Sequence, residues 1–202
     1  MIEVELRGPL TAANRKKVLA AVSRLGKKVR EVNQLTIFCD TQGPQFGNFS
    51  NPKLRLAIQL SQEVPNKNLR LALKVKSGHW AKVSRQETVL DLYPSSLSKV
   101  YLILESLGIN SGCPRFYHRL DFVIDGVDLS IKDSGLAPDH WEAELAVDKE
   151  ELVPDAKKRL RNLIDKLRLT VWSENEYQRL LTNIYQKNPP IAFSEVDMSL
   201  YL

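Results

Sequence analysis

Two stretches, LRLAIQL at 54–60 and LRLALKV at 69–75, alternate apolar and non-apolar residues in the same phase, with the turn-rich SQEVPNKN between them. Successive side chains of an extended strand point to opposite faces, so a period of two selects strands over helices. Leu54, Leu56, Ile58 and Leu60 share one face of the first stretch, and Arg55, Ala57 and Gln59 share the other. In the second, Leu69, Leu71, Leu73 and Val75 oppose Arg70, Ala72, Lys74 and Lys76. The pair predicts an antiparallel hairpin, and an echo this short is not a solenoid repeat.

The same beat runs through most of the chain. MIEVELRG at the start puts Glu3, Glu5 and Arg7 on one face of a strand. VNQLTIFCD (32–40), AKVSRQETVLDL (81–92), PRFYHRLDFVID (114–125), VDLSIKD (127–133) and WEAELAV (141–147) predict five more strands. A tight turn at Asp125 and Gly126 joins two of them, and TQGPQFGNFSNP (41–52) reads as a loop. Between the strands the period lengthens. Thr11 is placed to cap a helix over 12–25, with Val18, Leu19, Val22 and Leu25 on one face and Gly26 closing it. YPSSLSKVYLILESLG (93–108) reads as a helix start and an amphipathic helix that stops at Gly108. DAKKRLRNLIDKLRL (155–169) and SENEYQRLLTNIY (173–185) are helical, with Ser173 a suitable N-cap. QKNPPIAFSEVDMSLYL (186–202) is expected to be a tail lying on the surface.

The expectation is therefore an α+β chain built from antiparallel hairpins: a single domain over 1–185, its C-terminal helices beginning near 154, then a tail over 186–202. Eight strands are enough to close a β-barrel, which leaves no exposed sheet edge. A hydrophobic share of 43% supplies a sizeable core. Cys39 and Cys113 lie far apart in no CxxC pattern, so free buried thiols in a reducing cytoplasm are expected. No leader and no membrane-spanning run is read in the sequence. The formal charge of +5 favours anionic partners without naming one.

The charged positions narrow the choice. Glu142 and Glu144 repeat the pattern of Glu3 and Glu5, with Trp141, Ala143 and Leu145 on the opposite face. Acids at i and i+2 of a strand stand roughly 6–7 Å apart at their Cα atoms. Two such pairs on facing strands suit a hard divalent cation, which takes oxygen ligands. Between them come strands with Arg55, Arg70, Lys74, Lys76, Arg85, Arg115, Arg119 and Lys132 at alternate positions. Period two alone does not separate a polar face in bulk water from one lining a tunnel covered by helices.

The combination of EVELR, KLRLA, LALKVK, SRQETV, ESLG, the strand carrying Arg119, and WEAEL followed by SENEYQRLL resembles the CYTH family, the triphosphate tunnel metalloenzymes. The likeness spans roughly residues 2 to 185 and rests on several short motifs. It implies an eight-stranded antiparallel barrel with flanking helices, lined with charge. It also implies a triphosphate-containing small molecule as ligand and Mg²⁺ or Mn²⁺ as cofactor. Carried over by position, Glu3 and Glu5 with Glu142 and Glu144 match the metal-binding acids. Arg7, Arg55, Lys74 or Lys76, Arg85, Arg119 and Lys132 match or neighbour the phosphate-binding cations. Arg7, Arg85 and Arg119 are the catalytic candidates. The implied chemistry is hydrolysis of tripolyphosphate, a nucleoside triphosphate or thiamine triphosphate. Adenylyl cyclase chemistry and non-catalytic polyphosphate or nucleotide binding are the alternatives.

Four positions depart from the family pattern. Arg7 stands where the ExExK hallmark has Lys, and a guanidinium is a poor proton acceptor. Ala57 replaces the second arginine of LRxR, Lys132 takes a place where relatives often have Asp, and Val89 replaces a glutamate. His79, His118 and His140 show no metal spacing and are expected at the surface or in packing, as are Trp80, Trp141 and Trp172. KKRLR (157–161) on a helix reads as a solvated face, so nucleic acid is not expected as a partner, nor is a membrane. A homodimer is left open.

Overall fold

In the computed structural model the described residues are 1–39, 54–77, 84–134 and 138–197. The loop 41–52, His79, Trp80 and the end of the tail, 198–202, lie outside them. The elements run β1 (Ile2–Pro9), α1 (Ala12–Leu25), β2 (Lys27–Cys39), β3 (Leu54–Glu63), β4 (Leu69–Ser77), β5 (Ser84–Leu92) and α2 (Leu97–Ser106). They continue with β6 (Ser111–Ile124), β7 (Val127–Asp133), β8 (His140–Val147), α3 (Val153–Leu167), α4 (Glu174–Lys187) and β9 (Ile191–Ala192).

The strands pair antiparallel in the order β2-β3-β4-β5-β1-β8-β7-β6, and β6 returns to β2, so eight strands close a barrel. The hairpin read from the repeated LRLA is present in register, with Ile58 opposite Leu73 and Ala57 opposite Lys74. At the β6–β7 turn both Asp125 (φ 53°) and Gly126 (φ 73°) are left-handed, as a two-residue turn of that type requires. Thr11 and Ser173 each cap their helix through a reciprocal box.

The barrel is apolar outside and polar inside. Outward residues of β1, β7 and β8 (Val4, Leu6, Leu129, Ile131, Trp141, Ala143) pack under α1 and α3, which contribute Val18, Val22, Leu160 and Leu163. A second core on the opposite flank joins Leu35, Ile37, Leu56, Ile58, Leu60 and Leu71 to Val100 and Leu104 of α2. Burying each such side chain contributes about 1.5–3 kcal/mol, so two helix-covered flanks hold the barrel from outside. The free thiols are divided by the pleat, Cys39 in the second core and Cys113 on the inward phase of β6.

Two expectations are revised. β2 begins at Lys27 rather than 32, because Lys27 and Lys28 continue the β6 ladder opposite Val123 and Phe122 before a bulge at Lys28/Arg30. Their exposed side chains hid the strand from a pattern search. The segment expected to lie on the surface instead adds β9 to the start of β6 and buries Phe193 in the second core, stacked on Tyr101 at 4.8 Å.

Candidate functional site

The inward phase of the strands encloses a cavity of about 300 Å³. Glu5, Arg7, Arg55, Lys74, Lys76, Arg119, Lys132, Glu142 and Glu144 all line it. Glu3 and Arg85 lie just behind the wall, 6% and 3% exposed, linked to it through Glu5 and Lys76. The alternation read in the sequence thus becomes one interior surface. Both Lys74 and Lys76 point inward, as their shared phase on the strand requires, so the choice between them as the matching lysine stays open.

Register explains the ion pairs. Glu3 is paired across the ladder with Arg85, Glu5 with Glu144, and Arg7 with Glu142. Glu5 contacts both Arg7 and Arg85, while Lys76 donates to Glu3 at 2.8 Å. Glu87 takes Lys74 at 3.3 Å and Lys76 at 3.5 Å. Burial opposes its charge, yet hydrogen bonding with Glu3 and the two ammonium groups bring its pKa down to about 2. Asp121 accepts from Arg119, from Arg30 at 2.8 Å and from Ser130 at 2.9 Å, and these partners outweigh burial to hold it ionised.

The two acids of β8 have opposite fates. Burial acts on both, but Glu142 meets Lys132, His140 and Arg7, which hold its pKa well below the usual carboxylate range. Glu144 faces Glu5, Glu3 and Glu142, and burial together with this like charge raises it to about 7. One oxygen from each of Glu3, Glu5 and Glu144 lies within 4.8 Å of the others. The three carboxylates form a close oxygen donor set in which Glu3 and Glu5 have basic partners, whereas Glu144 forms no ion pair among the described residues and is driven toward its neutral form. A hard divalent cation with oxygen ligands fits it. Glu142 is held apart from that trio by its basic partners.

Burial opposes the charge of Arg7, but Glu5, Tyr177, Glu142 and Glu3 outweigh it and keep the guanidinium protonated far above its ordinary value. Arg7 stands 4.2 Å from the centre of the Tyr177 ring. Tyr177 belongs to α4, which lies across one end of the barrel. Trp172 and Tyr177 meet β8 and β1 at His140 and Arg7. At the other end of the helix, Tyr185 and Asn188 meet β6 at Arg115 and Cys113.

Close approach sets this placement. The Trp172 N–H donates to the Arg7 carbonyl at 2.9 Å, and a Cβ on Gly8 would come within 1.8 Å of the Thr170 carbonyl oxygen. His140 and Trp172 pack against each other and also line the cavity, with the His140 Nδ1 donating to the Pro138 carbonyl at 3.1 Å. Trp141 is wholly buried in the first core. His118 lies off the cavity, against Glu31 at 3.0 Å.

Sequence reasoning left out several wall residues. Arg115 was seen only as one more alternating cation, and Tyr117 and Asp121 share its phase on β6. Tyr177 and Tyr185 come from a helix whose sequence gives only its helical character and its Ser173 cap. Ala57 does face the cavity, so the arginine replaced there would have pointed inward.

No family model matches the chain, and no curated protein matches it. Among solved structures it is similar to the PH1819 protein of Pyrococcus horikoshii, with TM-score 0.76 and 18% identity over 90% of this chain and 98% of that one. A Vibrio parahaemolyticus protein named as a candidate adenylate cyclase matches at TM-score 0.66 and 18% identity over 90% and 98% of the two chains. HpAC1 of Hippeastrum, named as a candidate adenylyl cyclase and described with a dominant triphosphatase activity, matches at 0.56 and 15% over 84% and 89%. With its closed eight-stranded antiparallel barrel and flanking helices, the chain has a CYTH-type fold.

Proposed function

We propose that this chain hydrolyses a triphosphate with the help of a divalent cation, Mg²⁺ or Mn²⁺. The observation that carries the reading is the trio Glu3, Glu5 and Glu144, the last two in the wall of a cavity lined by cations and Glu3 just behind it. Those three side chains would hold the metal. Bound there, it supplies Lewis-acid polarisation of phosphoryl oxygens.

The remaining roles fall to the chain itself. Lys74, Lys76 and Arg55 face the cavity from adjacent strands and bind a polyanion by charge-assisted hydrogen bonds. Arg7, Arg119 and Lys132 are held in place by Glu5, Asp121 and Glu142, so they are fixed positive groups able to offset charge that develops during transfer. Arg85 orients Glu5 from behind. Arg7 takes no proton, because its surroundings stabilise the charged form.

Purified protein would be incubated with tripolyphosphate, ATP and thiamine triphosphate in Mg²⁺ or Mn²⁺, and the products identified. Orthophosphate release that is lost in Glu5→Gln and Glu144→Gln is the expected result. Tight binding without turnover under any of these conditions would overturn hydrolysis and leave a binding protein. A second reading, cyclisation of a nucleoside triphosphate, is favoured by Trp172 and Tyr177. They stack on each other at 5.8 Å and line the same cavity, where a base could meet them. Cyclic AMP and pyrophosphate as products from ATP would select it.

A further inference from the structure

Most buried cations of the tunnel have a carboxylate partner: Arg7 and Arg85 have Glu5, Lys76 has Glu3, Arg119 has Asp121 and Lys132 has Glu142. Arg115 does not. It is 2% exposed, lines the cavity, and among the described residues faces no carboxylate. Its Nε makes no hydrogen bond, one Nη lies 3.9 Å from the Cys113 sulfur, and the guanidinium stands 5.1 Å from the Tyr185 ring centre. Arg55, which lines the same cavity, is also without a carboxylate among the described residues and rests over Phe38 at 4.6 Å. β2 connects the two: Arg115 is the ladder partner of Thr36, and Phe38, beneath Arg55, pairs with Cys113. Burial raises the pKa values of the Tyr117 and Tyr185 hydroxyls well above the ordinary value, and both guanidinium groups draw them only partway back.

A buried guanidinium without a counter-ion is costly, so the lack of one among the described residues points to a ligand. The geometry points to Arg115 and Arg55, with the Tyr117 and Tyr185 hydroxyls, as a pocket for the unesterified terminal phosphoryl group of the bound ligand. This rests on the triphosphate reading and adds a requirement to it: one end of the phosphate chain must be free. A terminal phosphoryl carries about −1.5 to −2 charge near neutral pH, matching two guanidinium groups, whereas an internal diester carries one. Guanidinium forks bind such oxygens two at a time. The pocket is built without Glu3, Glu5 or Glu144, so anchoring here does not need the metal. It also compensates on β6 for the arginine that Ala57 removes from β3.

Calorimetric titration in EDTA tests this, with tripolyphosphate against diadenosine triphosphate, whose two ends are both esterified. Tripolyphosphate binds, and the capped compound binds at least about tenfold more weakly, the equivalent of losing one hydrogen bond to a charged group. Arg115→Gln weakens tripolyphosphate on the order of 10- to 100-fold, and Arg115→Lys recovers part of the loss. Ligand-free Arg115→Gln melts no lower than the natural protein, since it sheds an uncompensated charge; a structural arginine would lower the melting point instead. Equal binding of the two compounds, unchanged affinity in Arg115→Gln, or a lower melting point each overturn the proposal. If tripolyphosphate is hydrolysed with Mg²⁺ while any of these holds, only the pocket assignment falls. If it binds neither with metal nor without, the triphosphate reading falls as well.

Discussion

Replacing Glu144 by Gln should stabilise the metal-free protein at alkaline pH. In the folded chain burial and the charges of Glu5, Glu3 and Glu142 raise the Glu144 carboxyl from 4.5 to about 7. At ~1.4 kcal/mol for each tenfold change in proton affinity, that rise corresponds to about 3 kcal/mol. Glu144 is only partly buried and faces a cavity that admits water, so screening reduces the expected gain to about 2 kcal/mol. The folded state binds this proton more tightly than the unfolded chain does. Stability from this group is therefore complete below pH 4.5 and falls as pH rises through about 7. Urea denaturation followed by tryptophan fluorescence in EDTA should show Glu144→Gln and the natural protein differing little at pH 4 and by about 2 kcal/mol at pH 8. With excess Mg²⁺ the order should reverse, because the variant loses a ligand that the cation would otherwise neutralise. A variant no more stable than the natural protein at pH 8 in EDTA would refute the argument that the three carboxylates repel one another.

Three further outcomes follow from the same geometry. Mn²⁺ affinity, read by water-proton relaxation, should rise by up to ~tenfold per pH unit on approaching pH 7 and level off above it, as the Glu144 proton ceases to compete. Gly8→Ala should destabilise by about 1–3 kcal/mol in chemical denaturation, since its Cβ would sit 1.8 Å from the Thr170 carbonyl oxygen and 2.8 Å from Trp141. A neutral effect would mean that the 170–172 segment does not hold α4 in place. Phe193→Ala should cost about 3–5 kcal/mol in the same assay, because the ring is 2% exposed and stacked on Tyr101. A loss under ~1 kcal/mol would return the segment to the surface.

The strands were legible because period two is strong in LRLAIQL, LRLALKV and WEAELAV, and α1 because Thr11 and Gly26 mark its ends. What the alternation hides is which face is inside. In β3 Leu56 and Leu60 lie outside the barrel under α2 and the polar face encloses the cavity, the reverse of an ordinary barrel core, yet both arrangements share one pattern. The division between Glu142 and Glu144 was equally hidden. They occupy the same face of one strand, and only the ladder partners, Arg7 for one and Glu5 for the other, separate them. Arg115 could be read off β6 but not singled out, because the lack of a carboxylate partner among the described residues is a three-dimensional fact. Phe193 was lost behind Pro189 and Pro190, which announce a break in structure without saying where the chain goes next.

Because both apolar core clusters lie on the outer flanks, most of the burial that stabilises this barrel and the charge pattern of its lumen are set by different residues. Changes at positions 7, 57 or 132 leave both apolar core clusters untouched. Lineages built on such a scaffold can rewire the lumen by single substitutions while the shell stays constant. Architecture can then persist at under a fifth sequence identity, as it does between this chain and its structural neighbours, without requiring a shared lumen.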